Sequence, residues 1–172
     1  MINNELFCQT MRQLASGVAV ITAESDGQLH AMTATSFTSV SAEPPLALVC
    51  VKRGSNTDQL VAKAGRIGIS LLCESQRKIS NRYAWKNPDR DRFDDLDTRR
   101  CPGGALVFNN CAAVMEAVVT ESYEAGDHTL YIVQIDYASV DEEIRPLLYW
   151  KGNYAGLEMP EASPRMAAGG AS

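Results

Sequence analysis

Residues 31–45 read AMTATSFTSVSAEPP. Thr33, Thr35, Ser36, Thr38, Ser39 and Ser41 crowd hydroxyls around one aromatic ring, Phe37. Thr22 joins them if the preceding strand pairs with this one. Pro44–Pro45 ends the run. Small hydroxyl residues with open backbone N–H groups donate many hydrogen bonds with little bulk, which suits an uncharged polar ring system or a phosphate. The plainer alternative is an exposed Thr/Ser-rich strand and turn, and a motif of this kind needs confirming context.

The flanking residues supply strands. Gly17–Thr22 is β-branched. Asp26-Gly27 is a hairpin signal, so Gln28–Thr33 should return antiparallel and lead into the hydroxyl run. Leu46–Val51 is a short apolar run suited to a buried strand. Ile67–Leu72, Ala112–Tyr123, His128–Val140 and Leu147–Trp150 add four more. Tyr131, Val133, Ile135 and Tyr137 keep a period of two, which points one face inward.

Helices interrupt these strands without alternating with them. Asn3 or Asn4 can cap a first helix whose Leu6, Phe7, Met11 and Leu14 share a face, with Gly17 as a stop. Ser55 or Asn56 can cap a helix over Thr57–Ala64, with Asp58 in its first turn and Gly65 after it. Glu74–Trp85 reads as a third. Lys86–Gly104 is the longest irregular stretch, as expected of a functional loop or an interface arm. Residues 1–158 form one domain, and the Pro- and Gly-containing tail 159–172 is expected to be disordered. The fold class is mainly β with inserted helices, an antiparallel barrel. Neither G-x-G-x-x-G nor G-x-x-x-x-G-K-[ST] occurs, so a nicotinamide nucleotide would bind by another geometry.

The chain has 172 residues and a formal net charge of −5, which argues against nucleic acid or an anionic membrane as partner. No apolar run is long enough to span a bilayer, and the N-terminus lacks a signal peptide's basic region. Five widely spaced cysteines read as reduced thiols of a cytoplasmic protein, and two histidines make a dedicated metal site unexpected. Cys50, inside an apolar strand, reads as a core residue.

Taken with GDH at 126–128 and PLLYWKGNY at 146–154, the stretch from Arg12 to Val51 resembles the flavin reductase family, the small reductase components of two-component flavin-dependent monooxygenases. The resemblance runs from about Phe7 to Leu157. It implies a split β-barrel, antiparallel and Greek-key-like, and a homodimer with flavin near the subunit interface. It places the flavin ring and ribityl chain along Thr33, Ala34, Thr35 and Ser36, followed by Ser39, Val40 and Ser41.

A second candidate segment is Lys52-Arg53-Gly54-Ser55-Asn56-Thr57, a basic turn before a helix start. Open N–H groups there suit a phosphate; the alternative is an exposed turn with an ordinary cap. Lys52, Ser55, Asn56 and Thr57 are the candidate contacts, and the resemblance points the same way. Gly126, Asp127 and His128 form either a plain turn or, as the resemblance implies, a nicotinamide site. His128 is the candidate catalytic residue, able to bond the carboxamide or a phosphate, or to donate a proton. Tyr149, Trp150 and Tyr154 could wall the pocket. Arg82 could reach a phosphate or carboxamide, or be solvated. His30 is expected to be an exposed strand residue.

The resulting expectation is an NAD(P)H:flavin oxidoreductase that reduces FAD or FMN. NADH is favoured over NADPH, because no arginine cluster beside GDH marks a 2′-phosphate site. The flavin is exchangeable and supplies a partner oxygenase by diffusion. The rivals are a pyridoxamine-phosphate-oxidase-like flavoenzyme on the same barrel and a non-catalytic flavin-binding or electron-carrier protein.

Overall fold

The computed structural model describes residues 1–84 and 92–158. The first helix, α1 (Asn4–Met11), is capped by Asn3, whose side chain accepts from the Leu6 N–H at 2.8 Å. It ends at Arg12, before Gly17. Gly17 instead belongs to a short strand, β1 (Ser16–Gly17).

Then come β2 (Ala19–Ser25) and β3 (Gln28–Ala34). Between them Asp26 and Gly27 take positive φ of 52° and 74°, the pair that matches the twist of a tight hairpin. The chain continues through β4 (Phe37–Ala42), β5 (Pro45–Lys52), α2 (Asn56–Ala64) and β6 (Arg66–Leu71). Ser55 caps α2, and Gly65 closes it in the left-handed conformation. A 3-10 turn at Glu74–Gln76 runs into α3 (Arg77–Ala84). The remaining strands are β7 (Thr98–Arg100), β8 (Leu106–Phe108), β9 (Ala113–Ala125), β10 (His128–Val140), β11 (Leu148–Trp150) and β12 (Asn153–Ala155).

Seven strands form one antiparallel sheet in the order β3-β2-β6-β9-β10-β5-β4. Its two edge strands, β3 and β4, are joined only by Thr35 and Ser36. A link that short holds the edges within roughly 11 Å at that end. The sheet must therefore curl into a barrel left open between β3 and β4. Ser36 ties this link to β5, continuing the β4–β5 pairing: its carbonyl accepts from the Cys50 N–H at 3.2 Å, and its hydroxyl donates to the Cys50 carbonyl at 3.3 Å.

One buried cluster fills the barrel and includes Ile21, Val49, Ile67, Ile69, Tyr131 and Val133. A second lies outside it, where Val20, Leu72, Tyr83, Phe108 and Leu147 pack. The alternation along β10 holds for Tyr131, Val133 and Ile135, which serve the first cluster. A register shift between Ile135 and Tyr137 then breaks it, and Tyr137 packs on the second cluster.

The stretch read as a long arm is folded back over its described part. Phe93 stacks on Tyr83 at 5.5 Å, Asp95 pairs with Arg82, and β7 pairs with β8. Its apolar residues Phe93, Leu96 and Cys101 join the second cluster, and burying them outweighs extension into solvent. Residues 86–91 of that stretch, Trp85 at the end of the third expected helix, and the tail 159–172 lie outside the described residues. Glu116, 1% exposed, anchors the returning loop by accepting from the N–H groups of Gly103 and Ala105 at 2.6 and 2.8 Å.

Candidate active site

Lys52 ends β5, and the chain turns through Gly54 at φ 72° to reach α2. The turn is braced internally. The Ser55 hydroxyl accepts from the Asp58 N–H at 3.2 Å. The Asp58 carboxylate accepts from the Gly54 N–H at 2.8 Å and from the Tyr131 hydroxyl at 2.6 Å. Burial alone would raise the Asp58 carboxyl; the bonds from Tyr131 and Gly54, with Thr129 and the nearby Arg53 charge, outweigh it and hold the group below its usual range. Burial, with the Asp58 bond, pushes the Tyr131 phenol up. Helix geometry leaves the N–H groups of Asn56 and Thr57 without an intrahelical acceptor, so the helix start presents two donors of positive sign.

The antiparallel pairing of β10 with β5 sets His128 opposite Lys52. The Arg53 N–H donates to the Asp127 carbonyl at 2.9 Å. Asp127 Oδ1 lies 2.8 Å from His128 Nδ1. The hydrogen bond from His128, and then its charge, hold the Asp127 carboxyl below its ordinary value. That bond turns Nδ1 toward Asp127 and leaves Nε2 as the imidazole edge for a ligand. Gly126, at φ 60°, makes the turn that begins β10. The basic turn and the GDH turn, remote in sequence, are one rim.

Above this rim is a cleft of about 1020 Å³. Its walls are His30 and the end of β3 with its link at residues 32–36, Cys50 and Lys52 of β5, the turn at 53–57, and Tyr83 and Ala84 of α3; His128 completes it. Thus Thr33, Ala34, Thr35, Ser36, Lys52, Ser55, Asn56, Thr57 and His128 converge as their positions in the sequence alone do not show.

The hydroxyls do a different job from the one their composition suggests. Thr33 Oγ1 donates to the Ser80 carbonyl at 2.7 Å, tying β3 to α3. Ser36, Ser55 and Thr57 are likewise bonded within the protein. Thr22 is buried, with its hydroxyl on the Leu106 carbonyl, and is no part of the cluster. The hydroxyls hold the walls, while the exposed Thr35 and the backbone edge of β3, which pairs with β2 on one side only, face outward.

Several candidate contacts do not line this cleft. Ser39, Val40 and Ser41 lie on the edge strand β4, outside the cleft lining, and Val40 is 51% exposed. The register shift between Ser39 and Ser41 changes which way that strand faces. Arg82 makes a two-pronged bond to Asp95 at 2.6 and 2.7 Å, which with the Arg82 charge holds the Asp95 carboxyl at about 2. It braces the loop after α3 and does not line the cleft. Tyr149 lines a smaller neighbouring cavity of about 290 Å³, which shares Thr33, Thr35 and Ala84 with the cleft; its ring meets Tyr154 edge to face at 5.5 Å. Trp150 donates to the Gln13 carbonyl and is part of the α1 side of the molecule.

Two residues take places the sequence did not give them. His30 is 8% exposed, with Nδ1 2.9 Å from Thr57 Oγ1, because α2 packs over β3. Cys50 is half-buried and lines the cleft. Its neighbours Val49 and Val51 fill the barrel, so alternation turns Cys50 outward, a signal that was present in the strand's period. Burial, only partly offset by Ser36, raises its thiol pKa, so it stands as a neutral wall group. Tyr83 and Ala84 had no sequence signal, being set by how α3 docks.

The cleft therefore offers an apolar side, a backbone edge of hydrogen-bonding groups and, at one end, a basic turn and a helix start. That donor set fits a flat polar ring carrying a phosphate. A comparison with protein families agrees: residues 11–158 match the flavin reductase like domain. The chain belongs to the flavin reductase family. Among relatives, an NADH-dependent flavin reductase of a Rhodococcus species is 33% identical over 156 residues, 88% of this chain and 85% of that one. The actinorhodin polyketide dimerase of Streptomyces coelicolor is 36% identical over 148 residues, 86% of this chain and 82% of that one. The solved structure of the styrene monooxygenase flavin reductase of Pseudomonas putida S12 superposes with a TM-score of 0.79 at 31% identity, covering 90% of this chain and 99% of that one. As a flavin reductase, the chain carries the split barrel, with the cleft beside the Thr35–Ser36 link that joins β3 to β4. Among the described residues no helix is long and apolar enough to cross a membrane.

Proposed function

We propose that this flavin reductase oxidises NADH with FAD or FMN as acceptor and releases reduced flavin to a separate oxygenase. The supporting observation is one cleft in which Thr33–Ser36, the Lys52–Thr57 turn and His128 converge. A bound flavin would supply the hydride-accepting ring, so no protein nucleophile is required.

The chain's own part is to bind, orient and exclude water. The Asn56 and Thr57 N–H groups and Lys52 hold the phosphate. The end of β3 meets the ring's polar edge, with Cys50, Tyr83 and Ala84 as its dry side. His128, its Nδ1 fixed by Asp127, offers Nε2 to the nicotinamide nucleotide at the rim and can hold or give a proton there. No arginine cluster flanks Asp127 in the sequence, which favours NADH over NADPH.

Two further features support this reading. The phosphate site is a helix start beside one basic turn, Lys52 and Arg53, with Arg53 already paired to Glu124, which suits an exchangeable flavin that reaches its oxygenase by diffusion. Leu6, Phe7, Met11 and Leu14 of the α1 region are each about half exposed, an apolar face suited to a homodimer. The five cysteines are free thiols, consistent with a cytoplasmic setting.

Steady-state NADH oxidation with and without added FAD or FMN tests the proposal. Oxidation that rises with flavin supports it. Flavin binding without oxidation would favour the electron-carrier reading, and neither would reject both.

A further inference from the structure

We propose that Glu124 sets the choice of nicotinamide nucleotide: by holding the Arg53 guanidinium, it keeps the rim selective for NADH and against the 2′-phosphate of NADPH. The inference rests on the reading of the rim as the nicotinamide nucleotide's site.

The sequence around the GDH turn contains no arginine, and the fold brings one there. Lys52 stands opposite His128, and Thr129 stands between Val51 on β5 and Glu124 on β9. Arg53 follows Lys52, and its side chain crosses the start of β10 to reach β9, where Nη1 donates to Glu124 Oε2 at 2.7 Å. Its backbone N–H is on the Asp127 carbonyl, which fixes it beside the same turn, and the residue lines the cleft.

From β5 to β9 is two strand spacings, roughly 10 Å. A nucleotide whose ring lies on the flavin and whose pyrophosphate meets His128 Nε2 carries its adenosine ribose outward over that distance, to the Arg53–Glu124 pair. Selection there follows from charge. An arginine beside the ribose accommodates a 2′-phosphate with two parallel hydrogen bonds, whereas a carboxylate favours the free hydroxyl. Here the carboxylate has taken the arginine. A ribose with free hydroxyls meets a pair whose charges cancel. A 2′-phosphate meets an occupied guanidinium and two carboxylates of its own sign, Glu124 and Asp127.

The pair can be released without disturbing the fold. Both side chains are at least half exposed, where ion pairs contribute little to stability. Asp58 and Asp127, the neighbouring carboxylates, are already bonded, Asp58 to Tyr131 and Gly54, Asp127 to His128. A released guanidinium is therefore open to a phosphate.

Steady-state kinetics with NADH and with NADPH, at saturating flavin, tests the proposal. The wild type should show a kcat/KM about tenfold or more higher for NADH. Glu124→Gln should raise kcat/KM for NADPH about tenfold through a lower KM, the worth of one charge-assisted contact, with NADH unchanged to within about threefold. Arg53→Gln added to that variant should return the NADPH-to-NADH ratio to its wild-type value. Glu121→Gln, which removes the same charge from the same strand, should leave the ratio unchanged. An unchanged ratio in Glu124→Gln overturns the proposal, as does a gain that survives Arg53→Gln or that Glu121→Gln matches. Tighter flavin binding in Glu124→Gln with the ratio unchanged assigns Arg53 to the flavin phosphate and also overturns it. A wild type that oxidises both nucleotides equally well refutes the selector only. A wild type that oxidises neither refutes the reading on which it rests, and the proposal with it.

Discussion

His128 and Lys52 face each other across the β5–β10 ladder, and the Arg53 N–H bonds the Asp127 carbonyl beside them at 2.9 Å. A sequence view treats the GDH turn as independent of the phosphate turn. The ladder makes them one rim, so a change in either should be felt by the other.

His128→Ala should raise the KM for NADH or lower kcat, with a loss in kcat/KM corresponding to about 1–3 kcal/mol. Lys52→Ala should weaken FMN but not riboflavin, which lacks the phosphate. The double variant should depart from additivity by about 0.5 kcal/mol or more, because the residues are neighbours. Additive losses in a double-mutant cycle would mean two separate sites.

Tyr131→Phe removes the hydroxyl that donates to Asp58 inside the phosphate turn. It should cost about 1–2 kcal/mol of stability near neutral pH. Asp58 titrates below its unfolded value, so the stability it contributes is present above the ordinary carboxylate pKa and is lost as pH falls through the lower folded one. The gap between wild type and variant should therefore narrow as pH drops below about 4. Denaturant midpoints measured across that range check the sign.

Gly68→Ala tests the wall behind β6. A Cβ there would meet the Leu106 carbonyl oxygen at 2.1 Å, and that oxygen is backbone. The variant should lose about 1–3 kcal/mol, read as a lowered Tm. An unchanged Tm would mean that β8 does not seat as described.

Arg82→Ala should leave kcat/KM for NADH within about twofold, because Arg82 serves Asp95 and not the cleft. A loss comparable to that of His128→Ala would return Arg82 to the site.

Much of the barrel was legible because its signals are local. The Asp26-Gly27 turn, the Ser55 cap and the Gly65 stop each act within a few residues, and each falls where the sequence puts it. What escaped depends on contacts remote in sequence. β7 and β8 pair with each other beside Tyr83 and Phe93; Leu106–Phe108 has strand propensity but is only three residues long, and Thr98–Arg100 shows no such pattern. His30 carries a polar side chain and reads as exposed until α2 covers it. Arg82 reads as an open cation until Asp95 folds back onto it. The Thr33–Ser36, Lys52–Thr57 and Gly126–His128 segments stand out in the sequence as motifs, but their closeness comes from the sheet order, and the β4 hydroxyls, equal candidates in the sequence, do not line the same cleft.

The central claim is that this cleft brings nicotinamide and flavin together. Anaerobic mixing of the purified chain with equimolar FAD and excess NADH, followed by loss of oxidised-flavin absorbance, tests it most directly. The account predicts full bleaching far faster than in the same mixture without protein, and much slower bleaching with His128→Ala. A rate equal to the protein-free mixture would contradict it.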